Sequence, residues 1–136
     1  MNPAAKLAQL NREAILSASP ARLLTMLYDR LLLDLGRAEA AQLAGNWSVA
    51  SENLLHAQSI ITELVSSLNS EVWSGAKALH SIYAFATQLL IDANIKRDAA
   101  LTRQAIVLME PLREAWHEAA AAPAVAERDS GGIRIG

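Results

Sequence analysis

The sequence contains no cysteine, which excludes a disulfide framework and thiolate chemistry. Glycine and proline are scarce, with 6 and 4 residues among 136, and no glycine-rich phosphate-binding loop is present. Aromatic residues make up only 4%, and the basic residues are scattered rather than interleaved with them. Because the net charge is −2, neither nucleic acid nor an anionic lipid surface is an expected partner.

Long hydrophobic runs are also missing, since no apolar stretch approaches the roughly 20 residues that span a bilayer. We therefore expect no stable membrane insertion. The segment from Met1 to Arg12 carries polar residues throughout and has no apolar region of the kind found in signal peptides. Together these absences predict a cytoplasmic protein.

Apolar residues are abundant, by contrast, and recur at steps of three and four, a period typical of helices that bury one face. Turn-forming and capping residues divide this pattern into four long segments, and no strand-type alternation is present. The predicted helices run from about Pro20 to Ala44, from Trp47 to Leu68, from Ala76 to Ile95, and from a cap at Asp98 to about Ala121.

The short connections favour antiparallel neighbours. The predicted fold class is therefore all-α, an antiparallel up-down-up-down four-helix bundle with an N-terminal arm. The arm covers residues 1–18 and the bundle covers residues 19–121. We expect the remaining tail, residues 122–136, to be disordered.

Single residues mark the predicted helix ends. Ser19 is a good N-cap, and Pro20 fits the first helical position because its missing N–H costs nothing there. Gly45 is a natural residue to end the first helix, and Asn46 can cap the second.

Two residues depart from the regular pattern inside helices. Gly36 is interpreted as a close-packing point, because glycine in a helix costs about 1 kcal/mol relative to alanine. Pro111 is expected to kink the fourth helix or to split it in two. The core stripe of that helix is predicted to be Leu101, Ala105, Leu108, Leu112 and Ala115.

Apolar residues make up 52% of the chain and charged residues 19%, and the large aliphatic side chains exceed what one small bundle can bury. This surplus predicts an apolar face that is left for a partner. The candidate groove walls lie off the main core stripes of the second and third helices. They are Leu55, Ile60, Val65, Phe85, Leu89 and Ile91.

No catalytic constellation is recognisable, so we expect no enzyme activity, no metal and no other cofactor. A di-iron bundle needs two Glu-x-x-His pairs, whereas this chain has one, Glu114 and His117, and no acidic residue lies clearly within a core stripe. A phosphotransfer bundle would use His80, but the lysine and glycine that stabilise the phosphoryl group do not follow it. These two functions and a purely structural, self-associating bundle are the alternative hypotheses.

A set of short motifs resembles the FliS family of flagellin-specific secretion chaperones over most of residues 15–119. The first is a Ser-Pro to Leu-Tyr-Asp block at the start of the first helix, and the others lie on the third and fourth helices. The motif residues are Ser19, Pro20, Leu27, Tyr28, Asp29, Tyr83, Ala93, Asn94 and Trp116.

The resemblance implies a cytoplasmic bundle that binds the disordered C-terminal segment of flagellin in apolar grooves. Such chaperones prevent premature polymerisation and deliver the client to the export gate of the flagellar type III apparatus. The resemblance also implies that the arm covers part of the groove until the client displaces it, a role assigned here to Leu7, Leu10 and Ile15. Family members usually have two tyrosines where this chain has Leu7 and Leu10, so docking there rests on apolar contacts alone.

Overall fold

Four long helices make up the fold. The computed structural model of the chain describes residues 2–6, 20–68 and 74–121. The helices are α1 (Pro20–Leu43), α2 (Trp47–Leu68), α3 (Ser74–Ile95) and α4 (Ala99–Ala121). The described residues contain no strand, and none of these helices combines the length and apolar content that a bilayer span needs. The predicted all-α class and all four predicted helices are confirmed.

The helices form a closed ring in which α1 packs against α2 and α4, and α3 packs against the same two helices. Cross-helix pairs give the direction of the chain. Asp29 pairs with Arg113 and Glu39 pairs with Arg103. The residue numbers of the partners on α4 thus decrease as those on α1 increase. Helices α1 and α4 are therefore antiparallel, as the predicted up-down-up-down arrangement requires.

The turn between α1 and α2 follows the predicted chemistry. Gly45 has a φ of +74°, a backbone conformation that suits glycine. The Asn46 N–H then donates to the Ala41 carbonyl at 2.8 Å, which satisfies the end of α1. The Asn46 side chain accepts from the Val49 N–H at 3.3 Å and so caps α2.

Helix α3 ends in the same way, but without glycine. Arg97 has a φ of 53°, and the Asp98 N–H donates to the Ala93 carbonyl at 3.0 Å. A side chain in this region carries a steric cost. The Arg97 guanidinium lies 5.3 Å from the centroid of the Trp47 ring, a cation–π contact that offsets part of this cost. Asp98 accepts from the Ala100 N–H at 2.9 Å, which confirms it as the cap of α4.

The core is a continuous layer of aliphatic side chains from all four helices around two buried tyrosines. On α4 the core face differs from the predicted stripe, because Ala115 is exposed whereas Thr102 and Met109 are fully buried. The burial of a threonine is possible because its hydroxyl donates to Gln42 Oε1 at 2.6 Å. The other predicted residues are confirmed, since Ala105 is fully buried and Leu101, Leu108 and Leu112 pack against the core, so the buried face of α4 is shifted only in part from the predicted stripe.

Pro111 does not divide α4, which runs unbroken from Ala99 to Ala121, so of the two predicted outcomes the split is wrong and the kink stays a prediction. Proline removes the hydrogen bond to the carbonyl of Val107, four residues earlier. Both Pro111 and Val107 are exposed, so that carbonyl lies on the solvent side of the helix, where water can satisfy it.

Gly36 is not a close-packing point within the bundle, because it is exposed and a Cβ there would meet no heavy atom within 4 Å. Gly36→Ala is therefore expected to raise the free energy of unfolding by about 0.5–1 kcal/mol, since alanine has the higher helix propensity. Urea unfolding followed by circular dichroism measures the change. Gly45→Ala is the matched control and is expected to destabilise, because its φ is +74°. A Gly36→Ala variant no more stable than the wild type would contradict the prediction.

Candidate functional site

Two tyrosines and a tryptophan of the sequence motifs meet inside the bundle. Tyr28 on α1 and Tyr83 on α3 are both buried, and their hydroxyls hydrogen-bond to each other. Trp116 on α4 packs against the same core. Burial raises the pKa of both phenols, and the hydrogen bond with Tyr83 raises the pKa of Tyr28 further. The hydrogen bond between the two neutral hydroxyls thus joins α1 and α3.

Asp29, the next motif residue, lies at the surface between α1 and α4. Arg113 Nε donates to Asp29 Oδ1 at 2.7 Å, and His117 Nε2 lies 2.6 Å from the same oxygen. Partial burial acts to raise the pKa of Asp29, but the hydrogen bonds from His117 and Arg113 outweigh it and hold this pKa below its ordinary value. These contacts of Asp29 with Arg113 and His117 hold α4 against α1.

Asp29→Asn is expected to lower the free energy of unfolding at neutral pH by about 0.5 kcal/mol, a small effect because the side chain is nearly half exposed and screened. Since the folded-state pKa is depressed, the advantage of the wild type is present above the ordinary aspartate pKa. It is lost as the pH falls through the lower folded-state value.

Thermal unfolding of both proteins from about pH 7 to about pH 3 measures this difference. High salt is expected to reduce it. If the stability difference between the two proteins were equally large at the lowest pH, the asparagine side chain would be destabilising for a steric reason. That result would contradict the electrostatic explanation.

A second carboxylate, Asp34, is fully buried on α1 beside α2. Arg30 Nε donates to Oδ1 at 3.0 Å, and His56 Nδ1 hydrogen-bonds to Oδ2. Both partners are half exposed, and with Leu55 and Ser59 they line a shallow depression of about 380 Å³. The expectation that no acidic residue lies in the core was wrong. The signal was present, because Asp34 lies next to a core leucine and four residues after Arg30.

The motif residues Ala93 and Asn94 lie at the other end of the bundle. Gln42 Nε2 donates to the Ala93 carbonyl at 3.2 Å, while Gln42 Oε1 accepts from the Thr102 hydroxyl. This buried amide therefore connects α1, α3 and α4. A cavity of about 360 Å³ opens beside it. Its lining residues are Gln42, Trp47, Ser48, Ala50, Ser51, Ala93, Asn94 and Arg97.

The structure separates the predicted groove residues by their exposure. Leu55 and Phe85 are exposed, at 53% and 58%, as a groove wall requires. Ile60 and Leu89 belong to the core, at 6% and 8%, so their placement on a groove wall is wrong. Each of these two follows a core alanine by three residues and precedes another core residue by four, which puts it on the buried face.

Val65 and Ile91 are partly buried, and Val65 packs against the core. Successive residues of a helix are about 100° apart, so Phe85 and Ile91 point about 120° apart on α3. Asn94 lines a cavity together with residues of α2, and Phe85 lies on the opposite side of α3 from Asn94. Ile91 therefore lies towards α2 and Phe85 towards α4. The two exposed candidates therefore lie along two seams rather than in one groove, Leu55 between α1 and α2 and Phe85 between α3 and α4.

Several predicted residues fall outside the described ranges. These are Leu7, Leu10, Ile15 and Ser19, together with the tail over residues 122–136. Of the remaining motif residues, Pro20 begins α1, and Leu27 packs against the core.

The alternative chemistries find little support in the described residues. No group of three or more histidine, aspartate or glutamate side chains there is placed to hold a metal ion. His117 is engaged by Asp29 on another helix rather than by Glu114 on its own. In the described helices, the ion pairs of Asp29, Asp34 and Glu39 connect α1 with α2 and α4.

The similarity to known proteins extends over nearly the whole chain. The family model described as "Flagellar protein FliS" matches residues 3–123. The flagellar secretion chaperone FliS of Bacillus subtilis is 30% identical over 122 residues, which cover 90% of this chain and 91% of that protein. The chaperone of the same name from Escherichia coli is 30% identical over 114 residues, covering 82% and 84%. The one from Vibrio cholerae is 31% identical over 103 residues, covering 75% and 76%.

Proposed function

The chain belongs to the FliS family of flagellar secretion chaperones, and on this premise we propose that it binds the disordered C-terminal segment of flagellin in the cytoplasm. While bound, that segment cannot polymerise prematurely. The complex then delivers the client to the export gate of the flagellar type III apparatus. Release requires no catalysis by the chaperone, because export and unfolding of the client remove it.

The observation that supports a client surface is the exposure of Leu55 and Phe85 on a bundle whose core is otherwise filled. Amphipathic segments bind such surfaces by laying an apolar face into a groove between helices. Coupled folding and binding typically buries about 1,000–3,000 Å², which is more than one short groove offers. The two seams at Leu55 and Phe85 suit a client that wraps around the bundle. In this proposal Leu7, Leu10 and Ile15 of the arm cover part of the surface until the client arrives.

Titration calorimetry of the full chain with the C-terminal segment of a flagellin tests the proposal. Binding is expected with a negative heat-capacity change, the signature of apolar burial. Leu55→Asp and Phe85→Asp are each expected to lower the affinity by about tenfold or more, because a charge replaces an apolar contact. Circular dichroism is expected to remain helical, since both positions are exposed.

Val107→Asp is the matched control, because Val107 is also exposed but lies on the solvent side of α4, away from both seams. Its affinity for the flagellin segment is expected to equal that of the wild type. Absence of binding by the wild type would refute the proposed client. Equal losses in all three variants would refute the assignment of the seams.

A further inference from the structure

A separate apolar surface runs along the outer side of α1. Met26, Leu33 and Leu43 are exposed there, and they are three of the eight large apolar side chains that are exposed in the described part of the chain. Gly36 and Ala40 lie between them and are also exposed. We call these five residues the α1 outer stripe.

The spacing keeps the α1 outer stripe on one side of the helix, opposite the core. Its members are separated by seven, three, four and three residues, the repeat that forms the seam between two packed helices. Leu33 points about 160° away from Leu35, which is fully buried. The stripe is about 26 Å long, at 1.5 Å per residue. Asp29, which Arg113 of α4 engages, lies on the same line between Met26 and Leu33, so the uninterrupted part of the stripe runs from Leu33 to Leu43, about 15 Å.

Gly36 lies in the middle of the α1 outer stripe, and the bundle itself gives no reason for a glycine there. A Cβ at this position would meet nothing within 4 Å, although glycine weakens a helix. Together with Ala40, four residues later, it leaves a flat place at which the backbone of a second helix can approach closely. A glycine at position 36 is explained if the helix that approaches it belongs to another protein.

The charges along the α1 outer stripe favour a partner that carries negative charge. Arg30 and Arg37 are exposed along one edge, and Arg37 has no ion-pair partner among the described residues. Glu39 lies towards the other edge and Asp29 lies on the line of the stripe, and each is already paired with an arginine of α4. The uncompensated charge beside the stripe is therefore positive.

We propose that the α1 outer stripe is a docking surface for an amphipathic helix of another protein, with acidic residues along one flank. A second copy of this chain is a poor occupant. An antiparallel pair of stripes, centred between Leu33 and Gly36, places Arg30 of one copy near Arg37 of the other, and like charges repel. The inference does not rest on the flagellin proposal, because no residue of the stripe is a candidate client residue, and only Arg30 at its edge shares a depression with one, Leu55.

The test uses a synthetic helical peptide of about 20 residues, which spans the stripe. It carries leucine at its heptad seam and glutamate along one flank, and a matched peptide carries lysine in place of each glutamate. Fluorescence anisotropy with the full chain is expected to show the glutamate peptide binding about tenfold tighter or more, with the difference shrinking in salt. Arg37→Glu is expected to reverse this preference.

Three further variants locate the binding. Leu33→Gln is expected to weaken binding of the glutamate peptide by about tenfold, whereas Val107→Gln, at another exposed position, leaves it unchanged. Gly36→Leu has room within the chain, so its circular dichroism is expected to match the wild type while its affinity falls. A flagellin C-terminal segment is not expected to displace the peptide.

Several results would overturn the inference. Equal binding of the two peptides, or binding of neither, would remove the charge argument. The same loss in Val107→Gln as in Leu33→Gln would place the peptide elsewhere, and so would displacement by the flagellin segment. Full affinity in Gly36→Leu would exclude the close approach.

Discussion

Replacement of His56 by leucine is expected to lower the free energy of unfolding by about 1–3 kcal/mol, although the histidine is half exposed. The reason lies in Asp34, which is fully buried and depends on two partners. Without His56, Oδ2 of Asp34 is left in the interior without its hydrogen bond, while Arg30 continues to bind Oδ1. Urea unfolding of the wild type and the variant measures the loss.

The combined variant His56→Leu/Asp34→Leu separates this explanation from a simple loss of packing. It contains no buried charge, so most of the lost stability is expected to return. His80→Leu is the matched control, because that histidine is partly buried on α3 and faces no buried carboxylate in the described bundle. A combined variant that is even less stable than His56→Leu would contradict the role given to Asp34.

The four helices could be predicted because each carries local start and stop signals. Asn46 and Asp98 accept hydrogen bonds from first-turn N–H groups, and Gly45 takes the positive φ that ends α1. These signals act over a few residues and need no knowledge of the rest of the chain. The directions of the helices then follow from the short connections between them.

The rotation of each helix was less predictable, because burial depends on partners that are distant in the sequence. Thr102 is buried because Gln42 accepts its hydroxyl, across 60 residues. Asp34 is buried because His56, 22 residues away, reaches it from α2. A polar residue looks like a surface residue until its partner is known. For this reason the sequence misplaced part of the core face of α4 and missed the buried carboxylate.

The candidate client surface could be predicted only in part, for a related reason. An apolar residue beside a core stripe can either widen the core or remain exposed, and helical spacing alone does not decide between them. Ile60 and Leu89 widen the core, whereas Leu55 and Phe85 remain exposed. The motif residues show the same limit. Resemblance identifies Tyr28, but its hydrogen bond with Tyr83 on α3 emerges only in the folded bundle.

Tyr28→Phe and Tyr83→Phe are each expected to lower the free energy of unfolding by about 1 kcal/mol. Each substitution removes one of two hydroxyls that hydrogen-bond to each other and leaves the other buried without its partner. The phenylalanine variants keep the ring volume, so the loss reports on the hydroxyls rather than on a cavity.

The double variant Tyr28→Phe/Tyr83→Phe is expected to be at least as stable as either single variant, because no hydroxyl of the pair is then left without its partner. This gives a coupling energy of about 1 kcal/mol in a double-mutant cycle. The two phenols have raised pKa values in the folded protein, so they stabilise it fully below about pH 10. Above that pH the unfolded phenols ionise, and the wild type loses stability that the double variant keeps. Urea unfolding at neutral and alkaline pH measures both effects, and strictly additive losses with no difference in pH dependence would contradict a shared, buried hydrogen bond.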